Sequence, residues 1–160
     1  MEYFYTFFDP LTVSLMFKLF WAMIFGMVIG AERLLAHKTA GMRTYALVSM
    51  GSALFIIISL QVTNLFTGQT NFDPLRMAAQ IIAGVGFLGA GLVMVKDQHI
   101  TGLTSSTGLW VSAGIGMATG FGLYKISIIT TVLTLFIFIV LWFIEQQLKK
   151  LSLFQKIEKE

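Results

Sequence analysis

Gly84-Val85-Gly86-Phe87-Leu88-Gly89-Ala90-Gly91 puts four glycines into eight residues of an apolar run, and Gly108, Ser112, Gly116 and Gly120 repeat small residues at every fourth position. A water-exposed helix loses about 1 kcal/mol for each such glycine relative to alanine. Helices packed in lipid instead use small residues to bring their backbones together. The stretch therefore points to an all-α, polytopic membrane helix bundle.

Composition agrees. Of 160 residues, 56% are hydrophobic and only 12% charged, and the mean hydropathy is +0.81, which leaves too few polar side chains to cover a water-soluble domain. A helix needs about 20 mostly apolar residues to cross the hydrocarbon core. Five segments meet that approximately, with short loops between them: Leu11–Ile29, Thr44–Val62, Ala78–Val95, Leu103–Tyr124 and Ile126–Ile144. Residues 1–144 read as one five-span domain and 145–160 as an amphipathic tail. Met1-Glu2-Tyr3-Phe4-Tyr5 lacks the basic start of a secretory signal, so the first segment is expected to be a retained span. The absence of cysteine excludes disulfides, thiolate metal sites and cysteine nucleophiles.

Five spans put the termini on opposite sides. Eight of the eleven basic residues, Arg33, Lys38, Arg43, Lys96, Lys149, Lys150, Lys156 and Lys159, fall on one side, against Lys18, Arg76 and Lys125 on the other. The positive-inside rule then predicts an external N-terminus and a cytoplasmic C-terminus. Asp9-Pro10 and Asp73-Pro74 each stand where a span begins externally, as an aspartate cap followed by a first-turn proline. Arg76, one turn from Asp73, gives that pair a second reading as a gate or partner contact.

Gly84-Val85-Gly86-Phe87-Leu88-Gly89 spells G-x-G-x-x-G, but a dinucleotide turn requires a preceding strand and a later acidic residue, and here the run lies inside an apolar span. Helix packing explains it better. Gly26 and Gly30 follow Ala22 at the same spacing, and Gly114, Ala118 and Gly122 make a second stripe beside Gly108, Ser112, Gly116 and Gly120, which predicts a central fourth helix with one face free for a homo-oligomer.

Four blocks together resemble the membrane domain of the MgtC/SapB family: Gly30-Ala31-Glu32-Arg33 with Lys38-Thr39-Ala40-Gly41-Met42-Arg43-Thr44-Tyr45; Asp73-Pro74-Leu75-Arg76-Met77-Ala78-Ala79-Gln80; the glycine run Gly84 to Gly91; and Gly102-Leu103-Thr104-Ser105-Ser106-Thr107-Gly108-Leu109-Trp110. In order and spacing they cover about 26–122. The resemblance implies a bacterial inner-membrane protein, virulence-associated and tied to magnesium homeostasis, magnesium limitation, acid stress or survival inside host cells, with a regulatory rather than an enzymatic role. Longer members carry a soluble C-terminal domain that has no counterpart in this sequence. Familiar members also end the motif before Gly102-Leu103 in Asn-Val-Arg, where His99-Ile100-Thr101 stands here.

The polar residues most exposed to function are Glu32, Arg33, Lys38, Arg43, Asp73, Arg76 and Gln80. Charges in spans tend to face a bundle interior or a wet cavity, so Glu32 leads the set. Its alternative is an ion pair with Arg33, Lys38 or Arg43 that joins the first two helices. Gln80 needs a partner that lipid does not offer, Lys18 reads as snorkelling to the external interface, and His37 and His99 read as loop residues. The tail stripe Leu148, Leu151, Phe154 and Ile157 suits an amphipathic helix on anionic lipid or on a partner helix. No cofactor is expected. Mg2+ is a candidate ligand, with Glu32 and Asp73 its candidate carboxylates; these and Asp97 stand near the ends of spans, although magnesium paths need acids or carbonyls at mid-depth. Thr104-Ser105-Ser106-Thr107 offers hydroxyls with no arranged base, which argues against catalysis. The expected partners are membrane lipid, other inner-membrane proteins and a second copy, not nucleic acid. A magnesium or proton transporter built from an oligomer is the competing reading.

Overall fold

The computed structural model describes residues 9–66, 73–96 and 99–150. The N-terminal pentapeptide, Asp97, Lys156, Lys159 and the stripe residues Leu151, Phe154 and Ile157 lie outside the described residues. The order is α1 (Pro10–Leu35), α2 (Met42–Leu65), α3 (Pro74–Ala90), β1 (Met94–Lys96), β2 (His99–Thr101), α4 (Leu103–Gly120), α5 (Tyr124–Phe136), a π turn at Ile137–Leu141 and α6 (Trp142–Lys150). The last three run on as one helix, Tyr124–Lys150. The fold is an all-α membrane bundle with one small hairpin.

Among the described residues, three helices are long and apolar enough to cross a membrane: Pro10–Leu35, Met42–Leu65 and Tyr124–Lys150, of 26, 24 and 27 residues. α3 and α4, with 17 and 18 residues, reach only about 25–27 Å at 1.5 Å per residue.

Both Asp-Pro pairs start helices. Asp9 Oδ1 accepts from the Thr12 N–H at 3.2 Å, and Asp73 Oδ1 accepts from the Leu75 N–H at 2.9 Å. Hydrogen bonding to Thr12 holds the Asp9 carboxyl below the usual carboxylate range, since it favours the charged form.

The third helix begins at Pro74 and ends at Ala90, not Ala78 and Val95. Val95 belongs instead to the hairpin, whose register pairs Met94 with Thr101, Val95 with Ile100 and Lys96 with His99. Gly102 closes it in the left-handed region, at φ 89, where a Cβ would overlap the Leu92 carbonyl. The fourth helix stops at Gly120, not Tyr124. Gly122 at φ 83 lets its own N–H reach the Thr119 carbonyl and the Leu123 N–H reach that of Ala118, at 2.9 and 2.8 Å, the paired bonds of a Schellman end.

α2 and α4 form the centre. α2 packs on α1, α3 and α4, while α4 touches α1, α2, α3 and α5. A Cβ at Gly26 would overlap the Tyr45 carbonyl, one at Gly116 would overlap that of Ser49, and one at Gly120 would stand 2.8 Å from that of Ala53. Such closeness lets side-chain hydroxyls bridge helices. Ser49 Oγ donates to the Ala22 carbonyl at 2.6 Å, Ser112 Oγ to that of Tyr45 at 3.1 Å and Tyr45 Oη to that of Ser105 at 2.8 Å.

Candidate functional site

Glu32 and Arg33 stand in the last turn of α1, and the bundle closes over the second. Arg33 is 3% exposed. Its Nε donates to Glu32 Oε2 at 2.5 Å, and the guanidinium carbon stands 3.6 Å from the centroid of the Phe138 ring. That ring comes from the π turn of the last helix, where an extra residue re-aims the helix face. Gly108 makes room for it, because a Cβ there would lie 2.5 Å from Phe138 Cζ and 2.8 Å from Tyr45 Oη. Four helices thus meet at one buried cation, which is neutralised by a neighbouring carboxylate and faced by an aromatic ring.

The remaining residues read from the sequence are spread more widely. Lys38 and Arg43 are exposed near the α1–α2 turn and form no ion pair with a described residue. Asp73, Arg76 and Gln80 sit on the first turns of α3, at the opposite end. Asp73 and Arg76 touch through the backbone only, Arg76 N–H to Asp73 carbonyl at 3.1 Å. Gln80 is exposed on a groove of about 600 Å³ between α2 and α3, among Ser52, Phe55, Met77 and Gly84. The polar set is therefore divided between the two ends. Its carboxylates are engaged as well, Glu32 with Arg33 and Asp73 with a helix cap.

The glycine set also divides. Gly26, Gly30, Gly108, Gly116 and Gly120 fill helix contacts together with buried Ser112, and Gly89 meets Ser106 at 3.5 Å from its Cβ position. A Cβ at Gly91 would stand 3.3 Å from the Leu88 carbonyl of its own helix. Gly84 and Gly86, like Gly51 and Gly114, have no heavy atom within 4 Å of a Cβ position. Lys18 donates to the Gly120 carbonyl at 3.2 Å, at the end of α4. His37 is exposed in the left-handed region at φ 55, and His99 is exposed in β2.

Sequence reading missed Tyr45 and Phe138 as walls of the site. A signal for Phe138 existed. Ser127, Thr131 and Thr134 are buried hydroxyl residues on one face of α5, and Phe138 continues that row at helical spacing.

Comparison with known proteins identifies the lineage. The profile of the MgtC family matches residues 19–147. The Escherichia coli K12 protein named "Putative magnesium transporter YhiD" is 43% identical over 129 residues, 79% of this chain and 60% of the relative. Protein MgtC of Salmonella typhimurium LT2 is 39% identical over 138 residues, 86% of this chain and 57% of the relative. A protein of Haemophilus influenzae is 39% identical over 132 residues, 80% of this chain and 56% of its own length. The chain thus spans between 56% and 60% of these relatives. No solved structure matches it. A membrane bundle carrying these motifs over most of its length, the chain belongs to the MgtC family.

Proposed function

We infer that this protein is a non-enzymatic regulator of the bacterial inner membrane, oriented with its N-terminus outside, which acts through other membrane proteins during magnesium limitation or acid and intracellular stress. The observation that carries this reading is the set of unfilled small-residue faces. Gly51 and Gly84 line the groove between α2 and α3, where nothing stands within 4 Å of their Cβ positions. The same groove holds the Gln80 amide, which makes no hydrogen bond to a described residue. In lipid there is no hydrophobic drive between helices, so close backbone approach and side-chain hydrogen bonds are what hold them together. A face that offers both suits a partner helix, from another membrane protein or from a second copy of this chain.

Transport of magnesium or protons is the second reading, favoured by the name of the Escherichia coli relative. The buried charge at Arg33 opposes a cation path beside Glu32, because the guanidinium occupies the carboxylate and repels a divalent ion.

One experiment separates them. Wild type, Gly84→Leu and Glu32→Gln proteins are cross-linked in native membranes to capture partners, then reconstituted in liposomes for magnesium and proton flux. The regulator reading expects Gly84→Leu to fold and lose its partners, with no flux from the wild type. Flux abolished by Glu32→Gln, or partner capture indifferent to Gly84→Leu, would sink it.

A further inference from the structure

At the end of the bundle where α4 turns into α5, two lysines stand without a carboxylate. The Lys18 ammonium, in the third turn of α1, spends one of its three donors on the Gly120 carbonyl at 3.2 Å. Its Cε and Nζ lie 3.9 and 4.0 Å from the Cβ position of Gly122, in the turn itself. Lys125 is exposed on the first turn of α5, a turn with no acidic residue and no side-chain cap. Neither lysine is ion-paired with a described residue.

Beside these charges runs a crevice of about 350 Å³ between α1 and α5, lined by Phe17, Trp21, Phe25, Tyr124 and Ile128. Its outer walls face the surroundings, with Phe17 at 56% and Ile128 at 50% exposure. Trp21 stacks on Phe25 with ring centroids 5.7 Å apart, which gives the crevice a firm floor. Tyr124 joins the two parts, lining the apolar trough one residue before Lys125. A positive, donor-bearing head above an apolar aromatic trough, in a protein solvated by lipid, has the chemistry of a phospholipid site.

We propose that the α1–α5 crevice binds one anionic phospholipid, with its phosphodiester at Lys18 and Lys125 and an acyl chain along Phe17, Trp21 and Ile128. A second copy of the chain fits poorly, because a two-fold contact presents the same patch from both sides and would bring four ammonium groups together. A zwitterionic lipid fits less well, since its own ammonium would meet the lysines.

The test is native mass spectrometry of the full chain in a neutral detergent, titrated with phosphatidylglycerol or with phosphatidylcholine of the same chains. One phosphatidylglycerol per protomer is expected, retained over phosphatidylcholine. Lys125→Gln, on an exposed side chain outside the packing, should weaken it about fivefold, the equivalent of one basic residue near an anionic headgroup. Lys18→Met should do the same, with a melting curve reporting its separate effect on the end of α4. Equal retention of the two lipids, or retention unchanged in Lys125→Gln, overturns the proposal. Displacement by inorganic phosphate would make this a free-anion site, and a mass addition of a whole chain would make it a protein contact; either also overturns it.

Discussion

Arg33 is the residue on which the bundle's polar economy turns. With its side chain 4% exposed and that of Glu32 15% exposed, removing one partner strands the other, and breaking a buried pair in this way typically costs about 3–5 kcal/mol. Arg33→Met should therefore destabilise the protein by about 3 kcal/mol in denaturant unfolding from micelles, while the Glu32→Gln, Arg33→Met double variant should recover part of that loss. A double variant no more stable than Arg33→Met would show that the pair is not the operative contact. The Phe138 ring adds its own contribution, and a double-mutant cycle between Arg33→Met and Phe138→Leu should give a coupling of about 1–2 kcal/mol. Coupling near zero would reduce Phe138 to a spacer. Glu32 and Arg33 stood out in the sequence because charge is rare in apolar segments. Their pairing with each other was only one of several readings, since adjacent residues on a helix do not ordinarily face one another, and here burial of the guanidinium selects the local partner.

At the level of elements, the helix starts were the most legible features, because an aspartate cap and a first-turn proline act within one turn of chain. The ends were harder to read. Leu92, Val93 and Val95 looked like span because an apolar run does not distinguish helix from strand, and what bends the chain there is the approach of Gly102 to the Leu92 carbonyl, ten residues away. The sequence ends the last span at Ile144, where charge begins, and continues it as an amphipathic helical tail; the structure runs one helix on to Lys150, with a Glu145–Lys149 pair at 3.1 Å on its exposed surface. The two glycine stripes of α4 were visible by spacing, but spacing alone does not say which is filled. The structure distinguishes them, and alanine makes the distinction measurable. Gly116→Ala drives a methyl into the Ser49 carbonyl of α2, a backbone atom that cannot yield without separating the central helices, and should abolish monodisperse folded protein on size-exclusion chromatography. Gly114→Ala meets nothing within 4 Å and should leave the melting temperature unchanged or slightly raised, as expected for a helical glycine replaced by alanine. Equal effects at the two positions would mean that α4 packs through a different face.

Across the whole molecule the polar residues separate into two ends joined by a core of glycine, serine and threonine contacts. The Arg33 end ties α1, α2, α4 and the π turn of the last helix together, while α3 is held more loosely, with Ile81, Val85 and Gly89 its buried residues. A peripheral helix with glycines on its outer surface is the natural element for association, and Gln80 gives that association a direction. Its amide carries both donor and acceptor groups, so it can pair with the same residue of a second copy across a two-fold axis. Interhelical hydrogen bonds in lipid are worth on average about 0.6 kcal/mol, so Gln80→Leu should weaken self-association about threefold, read as energy transfer between two labelled populations diluted stepwise into liposomes. Gly84→Leu, which removes the close approach itself, should weaken it further, because no single hydrogen bond compensates for separated backbones. Energy transfer that is absent at every dilution would assign the α2–α3 groove to a different membrane protein; transfer unaffected by either substitution would move the self-contact to the other open stripe, Gly114 and Ala118 on α4.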